Sequence, residues 1–465
     1  GLVRSMSDVQ VSMRRARLLP VGLAASCTAM FVLSIPAAEG PDELAHLQYT
    51  RFVAMTGRLP TAVPPVGDPW RADSYEWVQH PAYYIATGTI ARLLGLADEP
   101  PRLPANEASR LHGGRQVAMY LHGPDTTRQA GIRLIWCIRL LHIGLAALTA
   151  WWLGTALRLA GLGERAALVG SASLGLVPQV AALMGYHSTD GAATAAATFA
   201  VVTILRAATT SGSRSSFIAG LATGLALAVK LSTAYLLTMI ALATAWTRHG
   251  WRTAARQSAA AALGVCLSCA WVPLREWYAF GDPLGRAFRA DVLAAAGLGP
   301  TPSPGLLDPA ILGIWRVQVF EAFWARFGSL GAGPMSDSRL WSFYGAVSLV
   351  LAIACIVTLL RIVSSPQTHR LLGLATAGAI SACALWVYVT MVPRPYMAIH
   401  WTPRYVQPAL PVLAIVATAG LAHVVRMRRG STNTAAAMAS LGIAVMAAAV
   451  LATARTVLLQ FLGGY

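Results

Sequence analysis

The chain has 465 residues, of which 56% are hydrophobic and only 12% charged, with a mean hydropathy of +0.55 and a formal net charge of +17. Soluble domains carry about a quarter charged residues, so this composition excludes a soluble fold, and recurrent apolar runs of about 20 residues define a polytopic helical membrane protein. The positive excess does not mark a nucleic-acid binder: arginines cluster between apolar runs, as at Arg14, Arg15 and Arg17 or Arg248, Arg252 and Arg256, where Asp8 and Glu164 are the exceptional acids, which is the positive-inside pattern.

The first apolar run, Leu18 to Ile35, follows a basic segment and has no clear small-residue cleavage site before Pro41, so it reads as a retained signal-anchor leading outward. A long non-spanning stretch, Pro36 to about Arg133, comes next. The following spans are Leu134 to Leu157, Ala166 to Gly185 and Gly191 to Leu205. Phe217 to Trp246 holds Lys230 in its middle and reads as two short spans, or a re-entrant pair, broken near that lysine. Ala259 to Trp277, Leu340 to Leu360, Leu371 to Val392, Tyr405 to Val425 and Ala435 to Leu459 complete about eleven spans. The expected fold is a single all-α polytopic membrane domain, multi-pass in the cell membrane, with a cytoplasmic N-terminus. Run length and weak strand periodicity argue against a β-barrel. Two long polar stretches, 36–133 and 278–339, fall on the outer side and carry most of the acids, so the working face is expected to be extracytoplasmic.

Residues Pro41 to Tyr49 read PDELAHLQY, directly after the first span. Asp42 and Glu43 are adjacent acids, and His46 falls one turn further on if the stretch is helical. Carboxylates at the edge of a low-dielectric slab have perturbable pKa values, which suits a general base acting on a lipid-borne substrate. Further along the same stretch is EWVQHPAYY, with Glu76, His80, Tyr83 and Tyr84. It reads either as an interfacial helix begun by Pro81 and anchored by its tyrosines, or with Glu76 and His80 pointing into the Asp42 site. GYHSTD, ending at Asp190, reads as a polar turn in which Asp190 caps the next helix, and equally as a second polar cluster formed by His187 and Asp190.

Lys230 is the single lysine, against 35 arginines, and is surrounded by apolar residues. A cation at bilayer depth costs roughly 2.5–3.5 kcal/mol on insertion scales and marks function by default. A point cation for a phosphate is the favoured reading, with snorkelling as the alternative. Trp324 and Arg326, in FEAFWARFG, either hold a sugar face or rest on headgroups. His400 and Arg404, in HWTPRYVQP, open the penultimate span from the outside, and an arginine there runs against the topology rule. An anion such as a lipid phosphate would account for it. The six cysteines lie in apolar runs, and the Cys266–Cys269 CxxC lacks further ligands, so neither disulfides nor zinc are expected.

The acidic pair, HPAYY, Asp190, GLATGLALAVK and RYVQPALPVL occur in that order along nearly the whole chain. The order resembles the GT-C superfamily of membrane glycosyltransferases. Within it, PDELAHLQY, FWARFG and RYVQPALP are most similar to a bacterial family of membrane proteins of unassigned function. The resemblance implies a GT-C-type bundle, a polyprenyl-phosphate sugar donor drawn from the membrane lipid, and a glycan, lipoglycan or other acceptor. It implies Asp42 as base, Glu43 and His46 as supporting groups, and Lys230, Arg404 and His400 at the donor phosphate. Glu76, His80, Tyr83, Tyr84, His187, Asp190, Trp324 and Arg326 would then line the substrates. Arabinosyl and mannosyl transfer both fit. A lipid phosphate leaving group needs no nucleotide pocket, in keeping with the lack of a P-loop or Rossmann-type glycine motif. No cofactor is required, although Asp42, Glu43 and Asp190 offer oxygens to a divalent cation, and no nucleic-acid partner is expected. The competing reading is a transporter or flippase for a lipid-linked or polar solute, with Lys230 and Asp190 as coupling groups; the lack of internal repeats counts against it.

Overall fold

The computed structural model describes residues 16–70, 74–106, 119–123, 125–210, 212–246, 250–297, 319–325, 338–365, 369–391, 403–427 and 432–462. Among them are seventeen α-helices and one isolated bridge, Ala105 to Tyr120. In chain order they are α1 Leu18–Ser34, α2 Glu43–Thr56, α3 Ala82–Leu93, α4 Ala130–Leu159, α5 Glu164–Gly175, α6 Pro178–Gly185, α7 Thr189–Thr209, α8 Ser213–Val229 and α9 Tyr235–Ala245. Then follow α10 Trp251–Cys269, α11 Trp271–Phe280, α12 Arg286–Ala295, α13 Ala322–Ala325, α14 Ser338–Ser364, α15 Arg370–Met391, α16 Leu410–Met427 and α17 Thr432–Leu462.

Helices α4, α7 and α14 to α17 contain stretches long and apolar enough to cross a membrane. The pairs α5–α6 and α10–α11 reach that length and apolarity together and are bent, by 66° and 49°. Helices α1, α8 and the segment Leu231–Ala245 are shorter and apolar. These segments match one for one the runs read from the sequence. Pro178 starts α6 at the first bend, where its missing N–H costs nothing.

Cross-chain bonds define the two ends of the bundle. At one end, Arg17 and Arg158 both reach Glu164 (2.8 and 3.5 Å), Gln257 reaches the Thr210 carbonyl and Ser258 reaches Thr244. At the other end stand the 35–42 turn, the start of α7, the junction of α8 and α9, and the approach to α16. Helices α8 and α9 therefore both run between the same two levels, and the break at Lys230 is a turn at the bundle end. The stretch 36–133 is not a slack loop: α2, α3 and a 3₁₀ turn at Ser74–Val78 form a helical cap over that end, and Phe288 and Val292 of α12 pack into it beside Tyr49, Trp77 and Tyr84.

Candidate active site

The 36–42 turn is built around a buried carboxylate. Glu43 is fully buried at the first position of α2. Its Oε2 accepts from the backbone N–H of Ala38 (2.9 Å) and Gly40 (3.3 Å), and its Oε1 from the N–H of His187 (3.0 Å). Arg139 of α4 closes the arrangement with Nε on Oε1 (2.8 Å) and Nη2 on Oε2 (2.6 Å). The same guanidinium donates to the carbonyls of Val32, Ile35 and Pro36 at and just past the end of α1, where helical partners run out. Gly40 is required for this approach, since a Cβ there would meet the Tyr186 ring at 2.9 Å and Glu43 Oε2 at 3.1 Å.

Wrapping the backbone around Glu43 forces two residues with side chains into the left-handed region, Ala38 (φ 74°) and Asp42 (φ 56°). The conformation costs Ala38 roughly 1–2 kcal/mol and aspartate less, and strain held by surrounding structure is characteristic of functional positions. Asp42 is turned away from Glu43 by this backbone. Its side chain is 25% exposed and forms an ion pair through Oδ2 with Arg404, which is 18% exposed, while Oδ1 accepts from Tyr75 Oη (3.1 Å).

His46 follows one turn later, as expected, with its N–H bonded to the Asp42 carbonyl. Its Nδ1 shares a hydrogen bond with Tyr84 Oη (2.7 Å) and lies 3.7 Å from Glu76 Oε2. Tyr84 is stacked on Tyr49, with centroids 3.8 Å apart. Tyr83 reaches His142 Nε2 (3.2 Å), and His187 Nε2 reaches Thr50 Oγ1 (3.1 Å). Tyr83 and Tyr84 are both buried, so they are internal parts of the cluster and not interfacial anchors.

At the start of α7, Ser188 is the cap, accepting from the Asp190 N–H (3.4 Å). This corrects the expectation that Asp190 itself caps the helix. Asp190 instead forms a buried ion pair with Lys230. Lys230 lies just past the end of α8, at the turn into α9, so it is neither free nor in the middle of a span. Its Nζ and the Arg404 guanidinium both lie over the Tyr405 ring, 5.6 and 5.7 Å from its centroid. One aromatic ring thus links the two expected phosphate cations.

Two expected residues stand elsewhere. His80 donates from Nδ1 to the Leu227 carbonyl of α8 (2.6 Å) and has Arg289 as its charged neighbour, so it ties the cap to the bundle without entering the Asp42 cluster. Trp324 is buried, stacked on Tyr344 at 4.7 Å, with Nε1 donating to Ser348 Oγ (2.8 Å). It is a packing residue with no face left for a sugar. Arg326 and His400 lie outside the described residues.

Electrostatics separate the acids. Burial pushes Asp42 upward, but Arg404 first and His46 next outweigh it, and its carboxyl ends below the usual range. Glu43 follows the same balance, with burial opposed by Arg139 and the backbone N–H groups. Burial, reinforced by the charge on Asp42, raises Glu76 to about 8. Burial lowers His46 to about 4 despite Asp42. At neutral pH Glu76 is therefore protonated and His46 neutral, and their 3.7 Å approach is not an ion pair.

Glu76 Oε2 is buried with no hydrogen-bond partner among the described residues. Asp42, Glu43 and Asp190 each hold a different basic side chain, and among the described residues no group of three or more His, Cys, Asp or Glu is placed to share an ion. Arg139, His142 and Tyr75 were missed in the sequence. Arg139 and His142 stand inside the second apolar run and carry the same signal as Lys230; Tyr75 has no such signature.

No protein-family model matches this sequence, and no curated protein matches it. Solved structures do align with it. The Archaeoglobus fulgidus oligosaccharyltransferase, in a complex with Zn and sulfate, aligns over 96% of this chain and 53% of its own, at 13% identity and a TM-score of 0.48. Its apo form aligns over 97% and 56%, at 13% identity and a TM-score of 0.46. ArnT from Cupriavidus metallidurans, bound to undecaprenyl phosphate, aligns over 96% of this chain and 76% of its own, at 15% identity and a TM-score of 0.45. The chain spans about half the length of the oligosaccharyltransferase. Identities and scores this low transfer no residue role.

Proposed function

We propose that the chain is an inverting glycosyltransferase that moves a monosaccharide from a polyprenyl-phosphate donor to an acceptor hydroxyl at the extracytoplasmic end of the bundle. The observation that carries this reading is the convergence of Asp42, Arg404, Lys230 and Asp190 at one end of an apolar helical bundle, with Asp42 strained and open to approach. Asp42 takes the proton of the acceptor hydroxyl, and the oxygen attacks the anomeric carbon from the face opposite the phosphate. Lys230 and Arg404 hold the phosphate and stabilise the charge that grows on it as the bond breaks. Glu43 does not touch substrate in this scheme; it fixes the turn that aims Asp42. Glu76, protonated beside His46, offers a hydrogen-bond donor to a sugar or acceptor oxygen, and the ionisation state at neutral pH supports that role.

The acceptor is a glycan, a lipoglycan or another hydroxyl compound, and the sugar is one that polyprenyl phosphate carries. Membranes containing the protein, incubated with a panel of polyprenyl-phosphate sugars and acceptors, should yield a glycosylated product by mass analysis. The Asp42→Asn protein should be made and folded but inactive; sugar transfer retained by that variant would remove Asp42 as base.

A further inference from the structure

Each of the two expected phosphate cations is occupied by one of the carboxylates of the same cluster. Arg404 holds Asp42, and Lys230 holds Asp190. A base locked to a guanidinium is a weak base, because the proton it must accept competes with that pairing. A cation locked to a carboxylate likewise binds a phosphate only after giving that carboxylate up. Resting on the glycosyltransferase reading, we propose that the two ion pairs form a donor-operated switch: the phosphate of the lipid donor draws Arg404 and Lys230 off Asp42 and Asp190, and Asp42 becomes the base only then.

Two further features favour the exchange. Both cations lie close to the Tyr405 ring, 5.6 and 5.7 Å from its centroid, so an anion beside that ring is attracted by both charges. The groups acting on Asp42 are Arg404 ahead of α16, Tyr75 on the 74–78 turn and His46 on α2, with Glu76 as a further neighbour on that turn. His46 and Glu76 are neutral at pH 7, so Arg404 is the charge that holds Asp42 down. Without it, the burial that now opposes Arg404 meets less opposition and raises the affinity of Asp42 for a proton.

The charges balance through one turnover. The donor phosphodiester carries one negative charge and Asp42 another. The acceptor O–H proton passes to Asp42, the acceptor oxygen bonds to the anomeric carbon, and the carbon–oxygen bond to phosphate breaks with its electron pair on the phosphate. Asp42 is then neutral and the polyprenyl phosphate carries two charges, held by two cations. When it leaves, Arg404 returns to Asp42 and expels the proton to water. The switch orders the reaction: the donor binds before the acceptor is activated, and the base is not left charged and unpaired beside water.

The test is direct binding of undecaprenyl phosphate to the full chain in nanodiscs. The Asp42→Asn protein, whose Arg404 is already released, should bind about tenfold more tightly than the unsubstituted protein, because the fraction of the binding-competent state is no longer limiting. Arg404→Gln should bind about tenfold more weakly, and the double variant should match Arg404→Gln alone, the non-additivity expected of one shared interaction. Equal or weaker binding by Asp42→Asn, with Arg404→Gln still weakened, overturns the switch and leaves the phosphate site standing. Unchanged binding by Arg404→Gln also overturns it. No binding by the unsubstituted protein removes the glycosyltransferase reading itself. Should Asp42→Asn fail to run as a single species on gel filtration, Asp190→Asn and Lys230→Gln form the same cycle on the second pair.

Discussion

Asp42 and Glu43 are neighbours in the chain, and each is paired with an arginine, yet they occupy opposite circumstances. Glu43 is fully buried, and its oxygens take five donors: three backbone N–H groups and two from Arg139. Asp42 is a quarter exposed, in a left-handed backbone conformation, with one cation and one phenol as partners among the described residues. The difference teaches that an acidic pair need not be a pair of equivalent reagents. One carboxylate is consumed in shaping the turn, and the shape of the turn leaves the other available. A saturated, buried acid stabilises a fold; an acid with one displaceable partner can exchange it for substrate.

The largest expected effects separate the two residues most sharply. Asp42→Asn should lower the transfer rate by about 10²–10⁴-fold, the usual worth of a general base. Its effect on stability should be smaller than that of Glu43→Gln, because Asp42 and Arg404 are both partly exposed, and asparagine tolerates the left-handed conformation as aspartate does. Glu43→Gln should do the reverse. It leaves Arg139 buried without its counter-charge, at a cost of about 3–5 kcal/mol, read as a fall in the thermal midpoint of the purified protein and in membrane yield. A stable but inactive Glu43→Gln, together with an active Asp42→Asn, would exchange the two assignments.

A smaller effect concerns pH. Glu76 has a folded pKa near 8, raised by burial and then by Asp42 from an ordinary 4.5. The unfolded chain ionises Glu76 first, so its contribution to stability is complete below 4.5 and is lost as pH rises through about 8. Glu76→Gln cannot titrate, and its unfolding midpoint should fall less than that of the parent over this window. A parallel fall in both proteins would show that Glu76 is ionised in the folded state. The smallest effect is expected from Tyr75→Phe, which removes one hydrogen bond to Asp42 worth about 0.5–1.5 kcal/mol. It should slow transfer by a few fold and leave the thermal midpoint in place; a change as large as that of Asp42→Asn would make Tyr75 more than a positioning residue.

The spans were legible because burial in a bilayer is a property of each segment by itself: an apolar run long enough to cross declares itself whatever its neighbours do. The break near Lys230 and the position of Asp42 after α1 were legible for the same reason. The identity of each charge's partner was not. Glu43 chose Arg139 of α4, Asp190 chose Lys230 beyond α8, and Asp42 chose Arg404 before α16. In a low-dielectric interior a charge is stable only with the partner that the packing brings to it, and that partner lies several helices away in the chain. Trp324 and His80 show the same limit: each has the chemistry of a binding residue, and packing spent it on Tyr344 and on the α8 carbonyl of Leu227. The sequence by itself determined an all-helical membrane bundle with its acids gathered after the first span. That Glu43 holds the turn while Asp42 stays partly exposed was settled by packing, because the division follows from which arginine each carboxylate can reach.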